Sequence, residues 1–176
     1  MRNICIVFLC LTIIVLSGVS YLTMPTTKKE YLRIHIRANS NSEVDQSVKY
    51  KVKGAIVEFL TPWVSECKTK KDVEEMLKAN LEMVEKVADK TLLDNGFFYK
   101  SKAKLTEEEF PLRTYGELTL DAGFYDALIV ELGDGKGDNW WCVVYPPLCF
   151  VGNGENYLYK SKILEIINGF FSPKEK

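Results

Sequence analysis

The chain has a single histidine, His35. One imidazole excludes any multi-histidine metal centre, and no CxxC, HExxH or Asp-rich calcium loop stands in for it. Charge of one sign is lacking too: the net charge is −1 over 176 residues, with lysines and acids interspersed. Without a basic stripe, nothing points to nucleic-acid binding. Internal repeats and low-complexity tracts are missing, which sets aside solenoids and disordered arrays. A phosphate loop fails as well. In Gly133-Asp134-Gly135-Lys136-Gly137 no Ser or Thr follows the lysine, and no helical pattern opens behind it.

The chain is the size of one domain with a real core. Its five cysteines divide by context. Cys5 and Cys10 lie in the N-terminal apolar run and Cys67 in a polar connector. Cys142 and Cys149 flank a Pro-Pro break that could fold one back toward the other. Only these last two invite pairing, which leaves Cys67 as a free thiol.

Residues 1–22 read as a signal peptide or N-terminal membrane anchor: Arg2 precedes an apolar run from Ile4 to Leu16, with Gly18 and Ser20 as small residues near a cleavage point. Either form places the rest outside the cytoplasmic face, secreted or membrane-anchored, where a disulfide persists. Residues 23–30 have no apolar face and form a tether, residues 31–171 the single extracytoplasmic domain, and residues 172–176 a frayed tail.

Within the domain, Leu32, Ile34 and Ile36 alternate with Tyr31, Arg33, His35 and Arg37, giving a strand with one wet or functional face. Ser42 and Asp45 have capping-box spacing, and Val48, Val52, Ala55, Ile56, Phe59 and Leu60 recur at helical period until Thr61-Pro62 ends the run. A second helix opens at Thr69 with Asp72 as capping partner. It carries Val73, Met76, Leu77, Leu81, Val84, Ala88 and Leu92 on one stripe and closes at Asn95-Gly96. Alternation from Phe97 to Leu105 predicts a strand near a sheet edge, its lysine face solvated. The acidic run Thr106 to Glu109 turns the chain in water. Another strand then leads through Leu120, and Tyr159, Ile163, Ile166, Ile167 and Phe170 mark a closing C-terminal helix. The class is α+β: a mixed, largely antiparallel sheet with the two amphipathic helices on one face.

Gly133 to Phe150 concentrates special-purpose residues. Tyr125–Leu132 and Asn139–Tyr145 are apolar on both faces and read as a hairpin of interior strands around the glycine-rich turn, with Pro146-Pro147 ending the second. Asp134 and Asp138 could hold calcium loosely, but solvated turn acids explain them better. A Cys142 or Cys149 thiolate with His35 as base and Asp45 or Glu131 as orienter is weaker than a structural bridge. Glu131 and Asp126 make no glycosidase pair. No cofactor or metal is implied, and the chain is not read as an enzyme.

The run from Gly135 to Phe150, Gly-Lys-Gly-x-Asn-Trp-Trp-Cys-Val-x-x-Pro-Pro-Leu-Cys-Phe, resembles the signature of the stage II sporulation protein R family. Further matches are Arg37-Ala38-Asn39-Ser40 continuing through Glu43, Asp45 and Gln46, then Phe110-Pro111-x-Arg113-x-Tyr115-Gly116, then Ala122-Gly123-x-Tyr125-x-Ala127-Leu128. The resemblance implies a non-enzymatic sporulation messenger. It would be exported from the forespore into the intermembrane space, where it activates a membrane-embedded aspartic peptidase that processes the precursor of the early mother-cell sigma factor. Motif density marks His35, Arg37, Asn39, Arg113, Tyr115, Tyr125, Lys136, Asn139, Trp140, Trp141, Pro146 and Pro147 as candidate partner-binding residues. Two rival readings are a cell-envelope hydrolase, in which His35 meets an acid or thiol in a cleft, and a glycan-binding module, in which an exposed Trp140 or Trp141 stacks on sugar.

Overall fold

The computed structural model describes residues 30–150 apart from Glu117. The signal or anchor, all of the tether but Glu30, the C-terminal helix and the frayed tail lie outside the described residues. In chain order the elements are β1 (Leu32–Arg37), α1 (Glu43–Glu66), α2 (Lys70–Asp94), β2 (Ser101–Phe110), β3 (Arg113–Tyr115), β4 (Leu118–Leu120), β5 (Gly123–Leu132) and β6 (Asn139–Tyr145). The main sheet has the order β2-β5-β1-β6, and β3 and β4 form a separate small hairpin. The fold is mixed α+β, as expected: β1 and β5 are parallel, and the other pairs are antiparallel.

Both helices start where their caps predict. Ser42 accepts from the Asp45 N–H, and Thr69 and Asp72 form a reciprocal capping box. The C-terminus of α2 is closed by Gly96, at φ 82°, with the Phe97 N–H donated to the Leu92 carbonyl at 3.0 Å. Val48, Val52, Ile56 and Leu60 of α1 and Val73, Leu77, Val84, Ala88 and Leu92 of α2 are buried against one sheet face with Leu32, Ile34, Ile36, Leu128, Val130 and Leu132. Each large side chain buried there contributes roughly 1.5–3 kcal/mol. The first helix outruns its predicted end. Pro62 lies inside it and the helix continues to Glu66, because Val64 still has an apolar site to fill.

The largest correction concerns the hairpin. Tyr125–Leu132 and Asn139–Tyr145 are strands, but they do not pair with each other: β1 lies between them, parallel to β5 and antiparallel to β6. The glycine-rich segment therefore crosses over the end of β1. Its second strand, β6, is an edge of the sheet and not an interior strand. The turn that follows folds back on the end of that edge. The Leu148 N–H reaches back to the Val143 carbonyl at 3.4 Å, and Cys142 and Cys149 form a disulfide, with Cα atoms 6.3 Å apart. Cys67 is a free thiol.

The acidic run is no turn either. Strand β2 begins at Ser101, not at Phe97, and continues through Thr106–Glu109 to Phe110, paired residue for residue with β5. It is the other edge of the sheet, as its lysine face predicts. Phe110 registers with Gly123, before the start of β1's pairing, yet its ring lies 5.4 Å from His35 and 4.8 Å from Trp141. The β2–β5 ribbon must therefore curl over the sheet face opposite the helices. As a result the predicted wet face of β1 is a second core. Arg33 and His35 are fully buried there with Tyr31, Phe110, Leu120, Tyr125, Ala127, Ile129 and Val143.

Candidate functional site

Two constellations emerge from the motif-bearing residues. The first stitches the crossover to the start of α1. The Gly137 N–H donates to the Ala38 carbonyl at 2.9 Å and the Lys136 N–H to the Asn39 carbonyl at 3.1 Å. The Asp134 N–H donates to Asn39 Oδ1 at 2.9 Å, and the Asp138 N–H to Asn41 Oδ1 at 2.6 Å. Asp45 gathers Asn39 Nδ2 at 2.9 Å, Ser40 Oγ at 2.6 Å and Tyr99 Oη at 2.7 Å. Burial raises the Asp45 pKa, but these donors outweigh it and hold the carboxyl below its ordinary value. Lys49 is buried beneath, bonded to Gln46 Oε1 at 2.6 Å and to the Asp138 carbonyl at 2.8 Å. Asn39 is thus spent on internal hydrogen bonds. Lys136 gives its backbone to the crossover and keeps its ammonium exposed, 2.8 Å from Asp134.

The second constellation is the face under the curled ribbon. It brings together His35, Arg37, Tyr115, Tyr125, Asn139 and Trp141, with Arg113 above. The Arg33 guanidinium sits 4.2 Å from the Phe110 ring centre, 4.8 Å from Tyr125 and 6.0 Å from Tyr115, and Nη2 donates to Tyr115 Oη at 2.9 Å. Such desolvated cation–π contacts are worth about 2 kcal/mol. Neither Nε nor Nη1 of Arg33 makes a hydrogen bond among the described residues, nor do the ring nitrogens of His35 or Asn139 Oδ1. Farther along, Arg37 binds Glu108 and, at 2.8 Å, Glu131, which Lys104 also approaches at 3.2 Å.

His35 does meet an acid, with Nε2 standing 3.5 Å from Glu108 Oε2. It does so under Phe110 and Trp141 with no exposed surface, not in an open cleft. Burial, with the charges of Arg37, Lys104 and Arg33, pushes its pKa down to about 3, so the ring is neutral near pH 7. It has no proton to donate there as an acid. Cys142 is held in the disulfide and offers no thiolate. No cluster of three or more metal-ligating side chains occurs among the described residues.

The two tryptophans point to opposite faces, as strand geometry requires. Trp140 packs on the helix-side core with Lys53 Nζ 5.6 Å from its ring centre, and Trp141 on the second core with the Arg113 guanidinium 5.9 Å away. Both are half-buried. Pro146 follows a cis peptide bond and, with Pro147, is half-buried at the end of β6. Arg33 and Glu108 were not among the sequence candidates. The period-two continuation of Thr106, Glu108 and Phe110 after Lys104 is the signal that would have found Glu108.

The family model of stage II sporulation protein R matches residues 28–155. Among curated proteins, stage II sporulation protein R of Bacillus subtilis (strain 168) is 33% identical over 126 residues, which is 70% of this chain and 56% of that protein. The chain thus spans little more than half the length of that relative. No solved structure matches it. The matched span includes every described element, and with it both the stitched crossover and the buried aromatic face: the chain belongs to the stage II sporulation protein R family.

Proposed function

We propose that this protein is an exported sporulation signal which binds the extracytoplasmic-facing part of a membrane-embedded aspartic peptidase and favours its active state. The peptidase then processes the precursor of the early mother-cell sigma factor. Family membership carries this reading. It is supported by the disulfide, which suits an oxidising space between membranes, and by the use of the motif residues as a rigid scaffold, not as a nucleophile with its base. Activation by binding requires higher affinity for the active than for the inactive peptidase. A rigid, internally bonded surface suits that task because little order is lost on docking.

The hydrolase reading has the His35–Glu108 contact in its favour, but burial of the imidazole removes its access to substrate. The test is reconstitution. This chain, the peptidase and its pro-sigma substrate are coexpressed in a host lacking all three, and processing is followed by immunoblot. Processing that appears only when this chain is present and exported is the expected result. Its absence despite folded, exported protein overturns the reading.

A further inference from the structure

Strand β2 is an edge of which only half is closed. Its pairing with β5 runs unbroken from Ser101↔Leu132 to Phe110↔Gly123. Successive residues therefore turn their backbone groups alternately toward β5 and away from it. The Ser101 N–H donates to Asp89 Oδ1 at 2.7 Å and the Ala103 N–H to Glu85 Oε1 at 2.8 Å, both acceptors lying on α2. Odd-numbered residues thus face outward, and two helix carboxylates occupy their first donors. Leu105, Glu107 and Glu109 continue the same parity. Among the described residues no other element bonds to their backbone groups. Only the neighbouring Thr106 hydroxyl leans on the Glu107 carbonyl, at 3.4 Å.

The open half has its own chemistry. Natural edges are commonly defended by lysine, and here Lys102 and Lys104 stand in or beside the closed half, while the open half carries Glu107 and Glu109, both exposed. Phe124, opposite Glu109 on β5 and 59% exposed, and Leu112, 55% exposed, add apolar surface beside it. A second copy of the chain is a poor occupant. A two-fold antiparallel pairing centred on this window sets Glu107 against Glu107, and like charges directly opposite destabilise a ladder. A segment with Lys or Arg at alternate positions meets both carboxylates and satisfies the open donors and acceptors together.

We propose that the outward edge of β2 from Leu105 to Glu109 takes up an extended, basic segment of a partner protein as an added strand. The inference deepens the reading that the protein acts by binding the peptidase, and names the contact. Two variants test it. Glu107→Pro deletes an outward N–H that β5 does not use, a substitution an edge strand tolerates. Glu107→Lys with Glu109→Lys keeps the N–H groups and reverses the charge.

The secreted protein is first mixed with a capped Thr-Lys-Val-Lys-Val-Lys-Thr peptide, and amide exchange is read residue by residue. Slowing of the Leu105, Glu107 and Glu109 amides by tenfold or more, absent with the Glu-for-Lys peptide and in the charge-reversed variant, is the expected result. No slowing, or equal slowing with both peptides, overturns the edge as a basic-segment site. In the processing assay, both variants are expected to lose at least tenfold in activity at normal secretion and unchanged melting temperature. Full activity in both variants would remove the edge as the peptidase contact. Inactivity of the unmodified chain would instead overturn the functional reading, with the exchange experiment still judging the edge.

Discussion

The Asn39 carboxamide fills the space that a side chain on Gly133 would need: a Cβ built there falls 2.3 Å from Asn39 Oδ1. Gly133 is also at φ 57°. At Gly137 the obstacle is backbone, with the Ser40 carbonyl oxygen 2.2 Å from the point a Cβ would occupy. Gly133→Ala and Gly137→Ala should each cost about 1–3 kcal/mol by overpacking. Asn39→Gly itself loses the bonds to Asp45 and the Asp134 N–H, but it removes the opposing side chain, so Gly133→Ala should cost less in that background than in the parent, a partial rescue. Gly137→Ala should not be rescued, because its nearest obstacles are the Ser40 carbonyl and, at 2.9 Å, the Ala38 Cβ, neither of which a change at Asn39 removes. Urea denaturation of the single and double variants checks this, and equal rescue of both would refute the geometry.

The buried imidazole should make the fold sensitive to acid. Unfolded His35 takes up a proton near pH 6.5, whereas in the fold its pKa lies at about 3. Between those values the unfolded chain binds more protons. Stability therefore falls as pH drops through the window, by up to about 1.4 kcal/mol per pH unit. The charged groups that face the ring are Glu108 from β2, 3.5 Å from Nε2, and the cations Arg37, Lys104 and Arg33 that help to lower its pKa. His35→Gln, uncharged at every pH, should show a shallower decline between pH 6.5 and 4.5. Parallel stability curves for the two proteins would rule the imidazole out as the cause.

Reduction should loosen the end of β6. Cys142 and Cys149 are seven positions apart. On chain-entropy grounds a bridge over so short a loop contributes roughly 2–3 kcal/mol. The double Cys→Ala variant, and the reduced protein, should be less stable by a matching amount and melt correspondingly lower. Cys67→Ala should leave the stability within about 0.5 kcal/mol of the parent, as a substitution outside the fully buried core. A melting point insensitive to reductant would show that the turn after β6 holds without the bridge.

Pro62 offers a gain. It lacks the N–H that an interior helical residue donates four positions back, and proline costs about 3 kcal/mol there relative to alanine. Pro62→Ala should stabilise the fold by about 1–3 kcal/mol and leave the processing assay unchanged. A neutral or destabilising result would mean that α1 is already bent to suit the proline and that Val64 depends on the bend.

What was legible in the sequence was whatever local chemistry decides. Ser42 with Asp45 and Thr69 with Asp72 fixed the helix starts, and the period-3.6 stripes fixed the faces that α1 and α2 bury. The lysines of β2 marked an edge correctly. Partner choice between strands was not legible. Two apolar runs around a glycine turn fit a hairpin equally well whether or not a third strand slips between them. Acidity misled at Thr106–Glu109, where pairing with β5 and the Arg37–Glu108 contact outweigh the pull of water. The polar face of β1 is hidden from a local reading for a related reason: the cover over Arg33 comes from Phe110, Tyr115 and Tyr125, all distant in sequence.

The position of β1 between β5 and β6 dictates an order of events during synthesis. Leu32–Arg37 is made early, but its two neighbours, Asp126–Glu131 and Asn139–Tyr145, come close to the end of the described chain. A nascent or partly threaded chain can form α1 and α2 as local hairpin-like units, yet it holds a strand that has no ladder to join. Contacts of such long sequence separation slow folding. A polypeptide cut short before Asn139 could still pair β1 with β5 but would leave the other side of β1 open, so the last strand made is the one that seals the first.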